Sequence, residues 1–386
     1  MIADIQLPAS IKIGGGALSE LANVLATLGA TRPFLIADPI MKQLGTVARV
    51  ISLLHDEGMV AEAFCDVMPE PDDLSIDGAV AQIKAIGADS IIALGGGSAI
   101  DSAKAIALLV SHGGTMRDYK VPFVVNQQSI PVIAVPTTAG TGSESTRVTV
   151  ISDSESHEKM LCMGPGLMPK AAIIDYELTL TVPFRVAADT GIDALTHAIE
   201  AWVSKKANPF SDQQAIAAMR LIAPNLISAC KDENNKKAKE SMMLGATLAG
   251  MAFSNASVAL VHGMSRPLGV HFHVPHGMSN AMLLPAITAY SLSGAEQRYA
   301  ECAKIMGLVS EDADNTQCHS ALIVFLNKLN SELDVPSMSQ FGITKSKYEA
   351  LLELMADQAL ASGSPANNPR VPEKQEMVDL YKQLFS

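Results

Sequence analysis

The chain has 386 residues, 48% of them hydrophobic and 18% charged, which excludes a disordered protein and points to two domains of ordinary size. Its net charge of −12, with no block of Lys and Arg, excludes an extended nucleic-acid surface, because phosphate binding needs clustered cations.

The five cysteines (Cys65, Cys162, Cys230, Cys302, Cys318) are odd in number and lack CxxC spacing. Reduced packing thiols in a cytoplasmic chain are the expectation. The start, Met1-Ile2-Ala3-Asp4-Ile5, has neither the basic head nor the apolar core of a signal peptide.

In the first half, strand-like and helix-like runs alternate. Ser10 to Ile13 is extended and closes at Gly14-Gly15-Gly16, and Leu18 to Leu28 follows as a helix. Pro33 to Ala37 is a compact apolar run of the kind buried on both faces of a parallel sheet. It stops at Asp38-Pro39, since a residue before proline is pushed out of helical geometry. Val47 to Glu57 reads as a helix and Val60 to Cys65 as extended, and a Pro- and acid-rich loop, 68–73, leads into a helix ending at Ile86. Ser90 to Leu94 is a strand, Gly95-Gly96-Gly97-Ser98 a turn, and Ala99 to Val110 a helix. Ile130 to Val135 is a further strand, leaving into the polar loop 136–144. This alternation predicts a parallel sheet with crossover helices.

Beyond Asp175 the strand signal fades, and Pro183 marks a plausible junction. Helices are predicted over Arg185–Ser204, Asp212–Ile227, Lys236–Val261, Ser279–Leu292, Ala295–Met306 and Gln317–Leu329. The expected architecture is an α/β domain, residues 1–182, followed by an all-helical domain, residues 183–386. The uncharged run Ser241 to Val261 is long enough to span a bilayer, but it carries five Ser, Thr or Asn residues and has no basic flank. A helix buried on all sides is expected there, and no membrane partner.

Two loops suggest a phosphate-bearing ligand. The Gly95–Ser98 turn leaves a strand and opens a helix, which brings backbone N–H groups and the helix dipole to an anion; Ser98 is a candidate cap and Asp101 lies in the first turn. A tight structural turn would look the same. Thr137 to Glu144 also leaves a strand, and ligands of parallel sheets gather at the strands' carboxyl ends. Asp38, at the end of the second strand, can accept from a ribose 2′-hydroxyl and so favour NAD over NADP, or it can be an ordinary turn aspartate.

A third set suits a metal. Asp193 and His197 are one turn apart on one helix face, His262 closes the predicted buried helix, and His276 follows Pro275 at a helix start. A carboxylate with three imidazoles suits Fe²⁺, Zn²⁺, Mn²⁺ or Ni²⁺ and leaves room for exogenous oxygen ligands. An isolated Asp-x-x-x-His pair is common on helices, but five of the nine histidines fall between 197 and 276. His271 and His273, alternating around Phe272, share one face as pocket residues.

Together these stretches resemble the iron-containing (group III) alcohol dehydrogenases over nearly the whole chain. The carriers are Gly-Gly-Gly-Ser-x-x-Asp at 95–101, Pro-Thr-Thr-x-Gly-Thr-Gly-Ser-Glu at 136–144, Gly-Ile-Asp-Ala-Leu-Thr-His-Ala-Ile-Glu at 191–200, and His-Gly-Met…Pro-His-Gly at 262–277. The resemblance implies a dehydroquinate synthase-like plan: a dinucleotide-binding domain, a helical domain, and an active site in the cleft between them. It implies Asp193, His197, His262 and His276 as ligands of Fe²⁺, with Zn²⁺ an alternative, and His262 and His276 at the catalytic centre. Gly95, Gly96, Gly97, Ser98 and Asp101 match the pyrophosphate loop, and Thr137, Thr138 and Thr141 the second nucleotide loop. Asp38 matches a position tied to NAD preference and Lys159 a lysine that reaches the ribose, while Thr146, Val148 and Phe253 fall in the nicotinamide and substrate pocket.

Two departures stand out. Members often carry a histidine four residues after the third ligand, and here that position is Arg266. A permanent cation cannot relay protons, so Arg266 orients an anionic substrate group, or His271 or His273 takes the relay. The family's Asn-Pro-Thr turn reads Glu70-Pro71-Asp72. The implied activity is reversible NAD(H)-linked hydride transfer between an alcohol and an aldehyde or ketone, in a cytoplasmic homodimer or larger homo-oligomer. The alternatives are a glycerol-1-phosphate dehydrogenase-like or dehydroquinate synthase-like enzyme acting on a phosphorylated polyol or sugar, and a non-catalytic nucleotide-binding protein.

Overall fold

The computed structural model describes residues 2–156 and 158–385, and the chain forms two compact units, Ile5–Val182 and the chain from Pro183 onward with the first few residues. The first unit holds strands β1 (Ser10–Ile13), β2 (Pro33–Ala37), β3 (Glu62–Phe64), β4 (Ser90–Gly95), β5 (Val132–Pro136), β6 (Val148–Ser152), β7 (Lys159–Met163) and β8 (Ala171–Ile174). Its helices are α1 (Leu21–Thr27), α2 (Pro39–Gln43), α3 (Thr46–Asp56), α4 (Asp73–Ile86), α5 (Gly97–His112) and the single turn α6 (Met116–Tyr119). Six strands form a parallel sheet in the order β1-β8-β5-β4-β2-β3.

The uninterrupted apolar runs predicted the double-sided burial of this sheet. On β2, Phe34 and Ile36 enter one core while Leu35 and Ala37 enter the other, and β4 divides Ile91 and Ala93 from Ile92 and Leu94 in the same way. That is the period-2 alternation of a strand covered on both faces. One core is completed by α4 and α5, the other by α1 and α3. Chain order reverses between β2 and β4, so the carboxyl ends of these two strands form the switch point where such sheets bind ligands.

The antiparallel hairpin β6–β7 has no counterpart among the predicted elements. Its strands are five residues each and bury alternate positions only, so their pattern does not rise above that of a loop.

The second unit is helical: α7 (Phe184–Val203), α8 (Pro209–Lys231), α9 (Lys236–Asn255), α10 (Leu260–Phe272), α11 (His276–Ser291), α12 (Glu296–Ile305), α13 (Asn315–Glu332), α14 (Lys345–Glu349), α15 (Leu352–Ala361) and α16 (Lys374–Gln383). Close approach of α7, α8 and α9 requires glycine. A Cβ at Gly191 would lie 2.3 Å from Leu226, and one at Gly245 2.6 Å from Ile222.

Several expectations need correction. The single helix predicted over 236–261 is two helices bent by 102°, broken after Asn255. His262 therefore lies in the first turn of α10 and does not close a helix. Among the described residues no single helix is long and apolar enough to cross a membrane; only this bent pair passes by length and composition. Residues 271–273 end α10 helically, with His273 in the left-handed cap (φ 55°), so His271 and His273 do not share a strand-like face. Gly96 occupies the N-cap of α5, and Asp101 falls beyond the first turn.

Gly191→Ala tests the packing directly. The added methyl must displace fully buried Leu226, and we expect a loss of roughly 1–3 kcal/mol, read as a lower midpoint in thermal or urea unfolding.

Candidate functional site

The switch point is built by strand register. Ala37 of β2 pairs with Leu94 of β4, and Gly95 pairs with Pro136 of β5, so three loops leave the sheet side by side. A Cβ on Gly95 (φ 150°) would meet Ala99 at 2.7 Å and an Asp38 carboxylate oxygen at 3.1 Å, and one on Gly97 would meet Thr141 at 2.8 Å. Thr138 lies 3.4 Å from the same point on Gly96. The Thr137 N–H donates to the Gly95 carbonyl at 3.0 Å. Asp38, Gly95, Gly96, Gly97, Thr137, Thr138 and Thr141 are thus one surface. Asp38 caps α2 by accepting the Met41 N–H at 2.9 Å through one oxygen.

Other sequence candidates are otherwise engaged. The Ser98 hydroxyl donates to the Pro69 carbonyl in a short bond. Asp101 accepts from the Ser143 hydroxyl at 2.6 Å and the Val150 N–H at 2.9 Å, so it holds the second loop and the hairpin against α5. Thr146 and Val148 face Lys104, a residue that motif reading passed over. Its ammonium donates to the Ser143 carbonyl (2.7 Å), the Val148 carbonyl (2.8 Å) and both oxygens of Thr146 (3.0 and 3.1 Å). Burial lowers the Lys104 pKa to about 8, against the pull of Asp101 and Glu144. Lys159 pairs with Glu70 at 3.4 Å.

The second site lies wholly within the helical unit. Three imidazole Nε2 atoms approach the same Asp193 oxygen: His262 at 3.3 Å, His197 at 3.8 Å and His276 at 3.8 Å. Asp193, His262 and His276 place their ligand atoms within 4.8 Å of one another, an arrangement able to hold a metal ion. His197 borders that group, its ring stacked on Phe253 (4.2 Å) and on His262 (4.5 Å). His276 opens α11, where Gly277 permits close approach to α7; a Cβ there would lie 2.3 Å from the Asp189 carbonyl. Asp193, His197 and His262 are buried, while His276 is exposed.

Glu200 and Asn280 complete the centre, and the sequence reading gave neither a role. Glu200, three residues after His197 on α7, accepts the Ala259 N–H (2.8 Å) and the Val261 N–H (2.6 Å). It also lies 2.6 Å from His262 Nδ1. Fixing Nδ1 directs Nε2 at the centre, the usual arrangement around a metal-bound histidine. Asn280, one turn after His276, donates to Asp193 at 2.6 Å and lies 3.2 Å from Nε2 of both His262 and His276. Helical spacing from His197 and His276 was the available signal for both.

Two buried carboxylates, Glu200 and Asp193, set the field at His262. Burial opposes charging of His262, yet Glu200 and Asp193 more than offset it, and its pKa rises to about 9. Burial would raise Asp193, but His197, His276 and His262 hold it well below the usual carboxylate range. A divalent cation and a proton compete for the same lone pairs, and one hard oxygen with borderline nitrogens suits the first-row metals. The residues present fit a metal.

Relay candidates are less central. His271 Nε2 pairs with Gln358 at 2.7 Å. His273 is exposed at the far end of α10 from His262, roughly 16 Å along the axis at 1.5 Å per residue.

A switch-point nucleotide surface and a His/Asp centre on a helical unit define a metal-dependent dehydrogenase. The profile for iron-containing alcohol dehydrogenase matches residues 8–176, and that for the C-terminal part of the Fe-containing alcohol dehydrogenase family matches residues 187–385. Long-chain-alcohol dehydrogenase 1 of Geobacillus thermodenitrificans is 38% identical over 369 residues, covering 94% of this chain and 93% of its own. The NAD-dependent methanol dehydrogenase of Bacillus methanolicus is 33% identical, covering 98% of each chain. A 1,3-propanediol oxidoreductase crystal structure matches with a TM-score of 0.95 at 32% identity, covering 100% of both chains. The chain belongs to the iron-containing alcohol dehydrogenase family. It is an NAD(P)-dependent alcohol dehydrogenase or reductase.

Glu200→Gln keeps the shape but removes the charge and one acceptor. Metal affinity should fall about 10- to 100-fold, measured by competition with a chromogenic chelator; unchanged affinity would remove Glu200 from the centre.

Proposed function

We propose that the enzyme interconverts an alcohol and an aldehyde or ketone with NAD(H), at an iron(II) ion held by Asp193, His197, His262 and His276. The observation that supports this best is the convergence of three ring nitrogens on one buried Asp193 oxygen, with Glu200 fixing His262 behind it. When bound, the metal supplies a Lewis acid for the substrate oxygen and the nicotinamide supplies or accepts the hydride.

The protein's own residues supply the rest. Asp193 offsets part of the metal's charge, Glu200 keeps the Nε2 lone pair of His262 turned inward, and Phe253 holds the His197 ring by stacking. His276, exposed where the others are buried, marks the side open to substrate. In the first unit, Gly95–Gly97 and Thr138–Thr141 offer a close backbone approach for a pyrophosphate, and the free oxygen of Asp38 favours a ribose 2′-hydroxyl over a 2′-phosphate. Asp101, Thr146 and Val148 act by holding these loops through Lys104, Ser143 and the hairpin. Five buried thiols fit a cytoplasmic enzyme, and β1, an edge strand, offers a pairing element for a homo-oligomer.

His262→Ala should lose both the metal and turnover, followed by elemental analysis and an NADH-coupled assay over a panel of alcohols and aldehydes. A variant that kept both would overturn the ligand assignment. In the same assay, wild type should prefer NADH to NADPH, and Asp38→Ser should narrow that preference by tenfold or more, as expected for relieving like-charge repulsion worth about 1.4 kcal/mol.

A further inference from the structure

We infer that Arg266 is the recognition group for an anionic substituent on the substrate, a carboxylate, sulfonate or phosphonate carried on the aldehyde or alcohol. This rests on the proposed reaction at the His/Asp centre and names the substrate class for it.

Arg266 stands one turn after His262 on α10, so the two side chains leave the same face of the helix. Among the described residues it has no hydrogen-bond, ion-pair or ring partner, although it is partly buried. Most other arginines of the helical unit are tied down: Arg185 to Asp189, Arg298 to Asp212 and Arg370 to Glu376. Burial lowers the Arg266 pKa, and the one charge acting against that is Glu200. Glu200 does not serve as its counter-ion, because its oxygens are engaged by Ala259, Val261 and His262. A half-buried guanidinium that no protein group engages is free to take an incoming oxyanion in a two-pronged, charge-assisted contact.

Its placement fits a substrate group better than a cofactor group. Arg266 lies one turn from a metal-centre residue on one helix face, where the Cβ atoms of such neighbours are roughly 5–6 Å apart, so an anion gripped there belongs to a molecule at that centre. A permanent cation also cannot shuttle protons, so its contribution is to binding and orientation.

The test uses the metal-replete full-length enzyme with paired aldehydes of similar size: propanal against sulfoacetaldehyde, phosphonoacetaldehyde and succinic semialdehyde, each with NADH. Wild type should favour at least one anionic aldehyde in kcat/KM, and Arg266→Met should erase that preference roughly 10- to 100-fold, as for a lost hydrogen bond to a charged group. Metal content should be retained, and the readout is the ratio of kcat/KM for each anionic aldehyde to that for propanal. The ranking of the three anions identifies the headgroup. Arg266→Gln is the second variant should the methionine form fail to fold. A calorimetric titration with ethanesulfonate, propionate and methylphosphonate reads anion binding without turnover. Propanal turnover with no anionic preference, or a preference surviving both substitutions, overturns the role of Arg266 and leaves the dehydrogenase reading intact. Arg266-dependent anion binding with no turnover of any aldehyde does the reverse.

Discussion

The carboxylate of Glu200 is the interaction on which the metal centre depends. It reaches from α7 to the start of α10 and there accepts two backbone N–H groups as well as facing His262 Nδ1. A helix N-terminus exposes N–H groups and a positive dipole end, and a buried carboxylate satisfies both. The same contact explains why one apolar stretch becomes two helices. A helix continued through Ala259 and Val261 would donate those N–H groups to carbonyls one turn back, leaving the buried Glu200 without two of its three partners. The break after Asn255 and the aim of the His262 ring are therefore one event.

A comparable constraint organises the first unit. Strand register alone brings Asp38, Gly95 and Pro136 to adjacent positions, but the loops beyond them have no register of their own. Lys104 provides it. Its ammonium collects oxygens from Ser143, Thr146 and Val148, while Asp101 ties Ser143 and Val150 to the same helix. Lys104 is removed from water and Asp101 is half-buried, and each is supported by hydrogen bonds from more than one direction, which lets the pair specify geometry. Thr146 and Val148 are thus parts of a support whose exposed product is the surface around Gly97 and Thr141.

Sequence carried the sheet well, because a strand buried on both faces leaves an unbroken apolar run, as Pro33–Ala37 and Ser90–Leu94 do. It also carried Asp193, His262 and His276, the group able to hold a metal ion, since the rarer histidines cluster in one part of the chain. It did not carry the helix break, for Ser254 to Val261 has no proline or glycine, and the cause of the break is a carboxylate more than fifty residues upstream. Nor did it carry Asn280, whose amide means nothing until α11 and α7 meet at Gly277. The β6–β7 hairpin was hidden because half of each short strand faces away from the core. Signals internal to one element were legible; those that arise only when two elements meet were not.

The centre also divides its labour by depth. Glu200, Asn280, Asp193, His197 and His262 are buried and interlocked, so a change at any one disturbs the others. His276 alone among the proposed ligands is exposed, held by an α11 start that rests on the α7 backbone at Gly277. Chemistry common to a whole family has to reside in the interlocked part, where substitution is costly. Choice of substrate has to reside where a side chain can change without unpairing its neighbours. Arg266 meets that condition: it follows His262 by one turn, yet none of the contacts that hold His262 involve it.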